Sequence, residues 1–336
     1  MASLTDMIER VRGLDFERAL RLRPEYPRVA LELERKVMAL VRLKTKRTGR
    51  PLLETYRVQA SEEPSVPATI SEQELIDQDT VSESIRKLLE TAGVRPGKIS
   101  LVLPDNLAKL SLLTLPERPP SRRQLEEVIR FKMRRGVPFR LADAAMSYQL
   151  LPSEDKGLSI LVAVVRRALI ERYEAAFEAI GSRPGLVDLC TPNLLNLCRT
   201  KIEAANSEGD VAFLNCAGTY FSLAIVRRSR LVFMRCKTYS MGNGEPGPIN
   251  GVLGRELGYS LSYYEEKLGG EGIRTLLVRS VEVPFEELSG QLASLDADHV
   301  ELIDPVAAVE TEDGAKLEPA LAQRLAPALG AVVGRS

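Results

Sequence analysis

The stretch "FLNCAGTYFSLAIVRRSRLVF", Phe213 to Phe233, holds two apolar runs around small residues, and a basic turn leads into a third run. Short apolar runs bounded by turn residues read as buried strands, so the stretch predicts a three-strand meander. Its first turn, Asn215-Cys216-Ala217-Gly218-Thr219, stands where a phosphate-binding hairpin would carry an acid and a glycine close together. Asn215 and Ala217 occupy those places, and Gly218-Thr219 remain.

A second meander opens the first half of the chain. In "RVALELERKVMALVRLK", Val29, Leu31 and Leu33 alternate with other residues, Glu34-Arg35-Lys36 makes a polar turn, and Val37 to Leu43 returns. A third strand is expected over Leu52–Gln59 after the turn Gly49-Arg50-Pro51. Each meander is followed by helices and strands. A helix is predicted over 71–92, with Leu75, Ile76, Val81, Ile85, Leu88 and Leu89 as its apolar stripe. "KISLVLPD" and "LAKLSLLTLPE" read as strands. In "PPSRRQLEEVIRFKMRRGVPF", Ser121 caps a helix and Gln124 completes the capping box. Two strands, a helix over 168–180 and the strand "PGLVDLC" come next, then one helix with Thr191 as N-cap and Pro192 at its first position. After the second meander and the link "MGNGEPGPINGV", a helix covers 252–268 and a strand "IRTLLVRS" follows. A helix near 285–295, a strand "HVELIDP" and a last helix near 319–333 complete the pattern. The repeated order of units is an internal echo, two similar halves in one chain.

Composition removes several function classes. The 336 residues carry 46 Lys plus Arg against 46 Asp plus Glu, and no Trp, which leaves no bulk charge and little stacking surface for nucleic acid. One histidine, His299, and four cysteines without C-x-x-C spacing (Cys190, Cys198, Cys216, Cys236) argue against a zinc site or a histidine-based triad and for buried free thiols. No apolar run reaches the ~18–20 residues of a bilayer span, and the start "MASLTDMIERVRGLDFERALRLRP" lacks a signal-peptide core. A cytoplasmic protein is expected, with an amphipathic helix near Leu4–Leu20.

An actin-like ATPase has this plan: two halves, each opening with a hairpin whose turn cradles phosphate. The chemistry needs glycine backbone N–H groups at the turns and acids to hold a hydrated magnesium ion. In the first hairpin Glu32 stands at the acidic place, but the turn from Glu34 has no Gly, Ser or Thr, and reads as a solvated turn. In the second, Asn215 replaces the acid and Ala217 the first glycine. After the strand "TLLV", where an adenosine-side loop would carry consecutive glycines, come Arg279 and Ser280. These eight positions (Glu32, Glu34, Asn215, Ala217, Gly218, Thr219, Arg279, Ser280) are a degenerate nucleotide site. No bound nucleotide, no metal and no catalytic residue is expected from them. An alternative stays open, in which Gly218, Thr219 and atypical contacts still bind ATP as a switch or for weak hydrolysis. A sugar or acetate kinase on the same fold would need intact phosphate loops.

The chain resembles the PilM family of type IV pilus assembly proteins, similar to the cell-division protein FtsA. The resemblance covers about residues 28–333. It rests on "VALELERKVMALV", a residue shorter than the family's first strand pair and lacking its Gly-Ser turn. It rests further on "ISLVLPDNLAKLSLLTLPERPPSRRQLEEVIRFKMRRGVPFRLADAAMSYQLL" and on "ILVAVVRRALIERYEAAFEAIGSRPGLVDL". It implies an α/β, actin-like fold divided into a charged segment 1–27, a first subdomain 28–97, an inserted β-α-β-β subdomain 98–185, a return 186–208 and a second half 209–336. It also implies a non-enzymatic scaffold of the type IV pilus or a related secretion platform, peripheral on the inner face of the inner membrane, that binds the cytoplasmic tail of a single-span PilN-like protein, with other platform proteins as further candidate partners. Candidate partner-binding residues are Arg123, Arg130 and Arg134, on a helix with a local basic excess, and Leu101 and Leu103.

Overall fold

The computed structural model describes residues 27–46, 49–72, 76–152, 157–239 and 251–333. The predicted helix near Leu4–Leu20, the charged segment 1–26, Leu75 and most of the Gly-rich link lie outside them. The first meander is β1 (Val29–Leu33), β2 (Val37–Lys44) and β3 (Leu52–Ala60). After it come α1 (Gln78–Thr91), β4 (Lys98–Leu103), β5 (Ala108–Leu115), α2 (Arg122–Met133), β6 (Ala144–Leu151), β7 (Leu158–Arg166), α3 (Arg167–Glu178) and β8 (Arg183–Leu189). Two short helices, α4 (Cys190–Leu197) and α5 (Arg199–Ala205), lead to the second meander, β9 (Val211–Cys216), β10 (Tyr220–Arg227) and β11 (Arg230–Thr238). The rest is α6 (Val252–Leu268), β12 (Thr275–Ser280), α7 (Phe285–Leu292), β13 (His299–Leu302), β14 (Glu310–Thr311) and α8 (Pro319–Val333).

Strand pairing turns the sequence echo into a repeat. The first sheet runs β14-β3-β2-β1-β4-β8 and the second β11-β10-β9-β12-β13. In both, a hairpin pairs antiparallel, its first strand then pairs parallel with a later strand, and that strand with one more. Strands buried on both faces carry unbroken apolar runs. All six residues of β9 and all six of β12 are buried, which is why "VAFLNC" and "TLLVRS" lack alternation.

The third sheet, β5-β7-β6, carries α2 on one face through Leu125, Ile129 and Met133. The inserted unit therefore spans 108–166 rather than 98–185: β4 and β8 are hydrogen-bonded into the first sheet, and α3 packs on its core. The second half also ends earlier than residue 336. β14 pairs with β3, and Leu325, Ala328, Leu329 and Ala331 of α8 pack with residues of β1, β2 and β4 in a core shared with the first sheet. Residues 303–318, between β13 and the last helix, gave no sign of the crossing.

Local signals fared unevenly. Ser121 Oγ accepts from the Gln124 N–H at 3.2 Å, but Gln124 Oε1 takes the Ser121 hydroxyl at 3.3 Å, so the box closes through side chains. α1 starts later than predicted, where Asp77 accepts from the Thr80 N–H at 2.7 Å. Gly269 adopts φ 62° and ends α6, as an αL cap should. Thr191 is not an N-cap. α4 begins at Cys190, and the Thr191 N–H and hydroxyl are bonded to Asp105 instead; the predicted single helix is broken from α5 at Cys198.

Candidate functional site

The first hairpin turn, the second hairpin and the end of β12 meet between the two halves. Arg279 comes off the end of β12 with none of its surface exposed. Its Nε donates to the Gln323 carbonyl of α8 at 2.9 Å, and its Nη1 to Asn215 Oδ1 at 2.9 Å. Its Nη2 has no hydrogen-bond acceptor, but the Glu32 and Glu34 carboxylates meet its charge at 3.5 Å and 3.7 Å. Arg324 extends the chain of charges, 3.5 Å from Glu34 and 2.8 Å from Glu282. The Glu34 side chain thus turns inward, and the turn expected to be merely solvated supplies a carboxylate to the cleft.

A second set of bonds joins the halves beside it. Asp105, fully buried after β4, accepts from the Thr191 N–H at 3.0 Å, from the Thr191 hydroxyl, and from the Ser222 hydroxyl of β10 at 2.7 Å. Asn215 Nδ2 donates to Thr191 Oγ1 at 3.1 Å. Cys190 Sγ lies 3.4 Å from Glu32 Oε1. Burial pushes the Glu32 carboxyl up to about 8, against the pull of the Arg279 guanidinium. Burial also raises Asp105, with the Thr191 and Ser222 bonds opposing it. The thiols of Cys198 and Cys216 are pushed up to about 12 by burial, so they are inert rather than nucleophilic.

The remaining predicted positions frame this core. Ala217, Gly218 and Thr219 form the β9–β10 turn, closed by the Ala217 N–H to the Tyr220 carbonyl at 3.0 Å. A Cβ on Gly218 would lie 3.0 Å from Glu282 Cγ, so an acidic side chain covers the one glycine left for phosphate. Ser280 donates its hydroxyl to the Val283 carbonyl. The gap lined by Glu32, Glu34, Val37, Ala39 and Arg324 has no space for a water, whereas ligand pockets hold about 300–1,000 Å³. A surface hollow of about 720 Å³ lined by Arg50, Asp304, Glu310 and Lys316 shares no residue with it. A magnesium triphosphate does not suit this set. Its negative charge would meet the carboxylates of Glu34 and Glu282 beside the two turns.

Sequence reading missed Asp105, Ser222, Gln323, Arg324 and Glu282. Only Asp105 left a trace, as an acid directly after a buried strand. The partner candidates separate. Arg123, Arg130 and Arg134 are exposed on α2. Leu101 and Leu103 are 0% and 1% exposed in β4, packed in the core of the first half and unable to meet a partner. They alternate with no polar residue because both faces of β4 are covered.

Glu32 gives the site a pH signature. It keeps its proton to about pH 8 when folded and only to the ordinary value of 4.5 when unfolded, so folding takes up a proton between those limits. Stability from this group is fully present below about pH 4.5 and is lost as pH rises through about 8; Asp105 acts in the same direction. Glu32→Gln is expected to flatten the slope, to match the parent near pH 5 and to be the more stable of the two near pH 9. Urea unfolding across that range measures both.

Two halves of one strand order, closed on a cleft at their strand ends, define the actin-like fold of the ATPase class. The chain belongs to the family of type IV pilus assembly protein PilM, whose sequence profile matches residues 33–243. A PilM-PilN type IV pilus biogenesis complex contains a chain similar to this one at TM-score 0.71 and 17% identity, over 92% of this chain and 98% of that one. An actin-like ATPase fold protein of unknown function from Bacteroides thetaiotaomicron is more distant, at TM-score 0.49 and 10% identity over 87% and 94% of the two chains. No curated protein matches the chain. Among the described residues no helix is long and apolar enough to cross a membrane.

Proposed function

We propose that this protein is a non-enzymatic scaffold of the type IV pilus assembly platform, on the cytoplasmic face of the inner membrane. It captures the cytoplasmic tail of a PilN-like single-span protein and works without bound nucleotide. The family match over 33–243 carries the pilus role, and the similar chain solved in a PilM-PilN complex supports the partner. The packing between the halves supports work without ATP: Arg279, wholly buried, is bonded to Gln323 and Asn215 and faces Glu32 and Glu34 at the ends of the two hairpins. Tail capture fits an extended peptide added to a sheet edge. β6 is an end strand of the inserted sheet, with Leu150 39% exposed, and Arg167 of α3 fixes its start by a 2.6 Å bond to the Ala144 carbonyl.

Calorimetry tests both parts. Peptides copying the cytoplasmic tails of membrane proteins encoded beside this one are expected to bind with micromolar affinity, and Mg-ATP is expected to give no heat. No binding by every such tail would remove the scaffold reading. Micromolar Mg-ATP binding would establish the switch or weak ATPase instead.

A further inference from the structure

The sequence "RFKMRR", Arg130 to Arg135, places four cations and no acid in six residues of a protein whose net charge is zero. Met133 faces the core of the inserted unit with Leu125 and Ile129. At 100° per residue, that stripe points Phe131 almost directly outward, and Phe131 is 78% exposed. Arg130 and Arg134 stand on one side of it and Lys132 and Arg135 on the other, all exposed. The acids of the same helix are already taken: Glu126 pairs with Arg122 at 3.0 Å and Glu127 with Arg123 at 3.1 Å. Arg130, Lys132, Arg134 and Arg135 have no ion-pair partner among the described residues. Lys109 of β5 adds a fifth cation, its Cε 3.5 Å from where a Cβ on Gly136 would lie.

We propose that this end of α2 is a membrane contact, with Phe131 entering the interface of an anionic phospholipid surface and the surrounding cations holding headgroup phosphates. An exposed aromatic ring at the apex of a ring of long cationic side chains matches the layering of a lipid interface, apolar below and charged at headgroup level. The patch is the outward, convex face of a helix. A planar anionic surface can meet it, whereas an acidic peptide would find no groove along it. Each cation near such a surface strengthens binding about fivefold, and a single aromatic wedge is too weak alone, so attachment needs both.

Sedimentation with vesicles tests this on the whole protein. It is expected to pellet with phosphatidylcholine vesicles containing a quarter phosphatidylglycerol, less so as salt rises, and not with phosphatidylcholine alone. Arg134→Gln with Arg135→Gln is expected to lower partitioning roughly 30-fold. The chain has no Trp, so Phe131→Trp reports from the site itself, with an emission blue-shift expected only on the anionic vesicles. Undiminished pelleting of the double variant, or unshifted emission from the Phe131→Trp variant on bound vesicles, overturns the proposal. Failure to bind vesicles while an acidic peptide binds the patch overturns it in favour of a protein partner.

Discussion

Arg279→Ala is expected to destabilise the protein by about 3–5 kcal/mol at pH 9, where Glu32 is ionised, the range for removing one partner of a buried ion pair. The loss has three sources. Glu32, 1% exposed, loses the nearest compensating charge. Asn215 Oδ1 and the Gln323 carbonyl lose buried donors, each costing about 1–3 kcal/mol when left unmet. The side chain's volume becomes a cavity between the halves. The penalty is expected to shrink near pH 6, where Glu32 keeps its proton and needs no counter-charge. Arg279→Met combined with Glu32→Gln should cost less than the alanine variant, because it removes both charges and keeps the volume. Urea unfolding at the two pH values reads all three. A loss under about 1 kcal/mol that ignores pH would mean the guanidinium fills space and does not balance charge.

The second large effect is expected from one methyl group. Gly330 of α8 crosses α4 so closely that a Cβ would lie 2.1 Å from the Asn193 carbonyl oxygen and 2.6 Å from its carbon. Both obstacles are backbone, so no side chain can swing aside. In an open helix Gly→Ala stabilises by about 0.5–1 kcal/mol. Here Gly330→Ala is expected to destabilise by roughly 1–3 kcal/mol, and Gly330→Val by more. The same shift moves the Gln323 carbonyl away from Arg279, so the double variant Gly330→Ala with Arg279→Ala should lose less than the sum of its parts. Thermal melts of the four proteins complete that cycle. A Gly330→Ala variant as stable as the parent would show that the helices do not cross at this contact.

Much of the fold was legible because its signals are local. Alternation and turn residues located both meanders, a capping box located α2, and the helices expected over 252–268 and near 319–333 are α6 and α8. The repeat was visible because each half repeats the same short-range order. What pairs with what was not visible. β4 reads the same alone as within the inserted unit, and only hydrogen bonds to β1 and β8 put it, with Leu101 and Leu103, in the first sheet. Thr191 has the residue type and place of an N-cap, but a buried carboxylate 86 positions earlier holds it.

By itself, the sequence determined which residue types stand at the turn positions: Asn215 and Ala217 in the second hairpin, no glycine beside Glu34 and none after "TLLV". A side chain in place of a turn glycine adds a Cβ and restricts φ, which hinders a close approach of phosphate to the backbone N–H groups, and that is a property of the residue wherever the chain goes. The tertiary structure alone decided what those residues meet. Arg279 looked like an absence, a site where a glycine pair should be. Folding carries it across the cleft from one half to Glu32 and Glu34 of the other, 245 to 247 positions away, and seats Asp105 against Ser222. Charge pairing at close range depends on distance in space, which no spacing along the chain records, so the residue types were written in the sequence and their partners only in the fold.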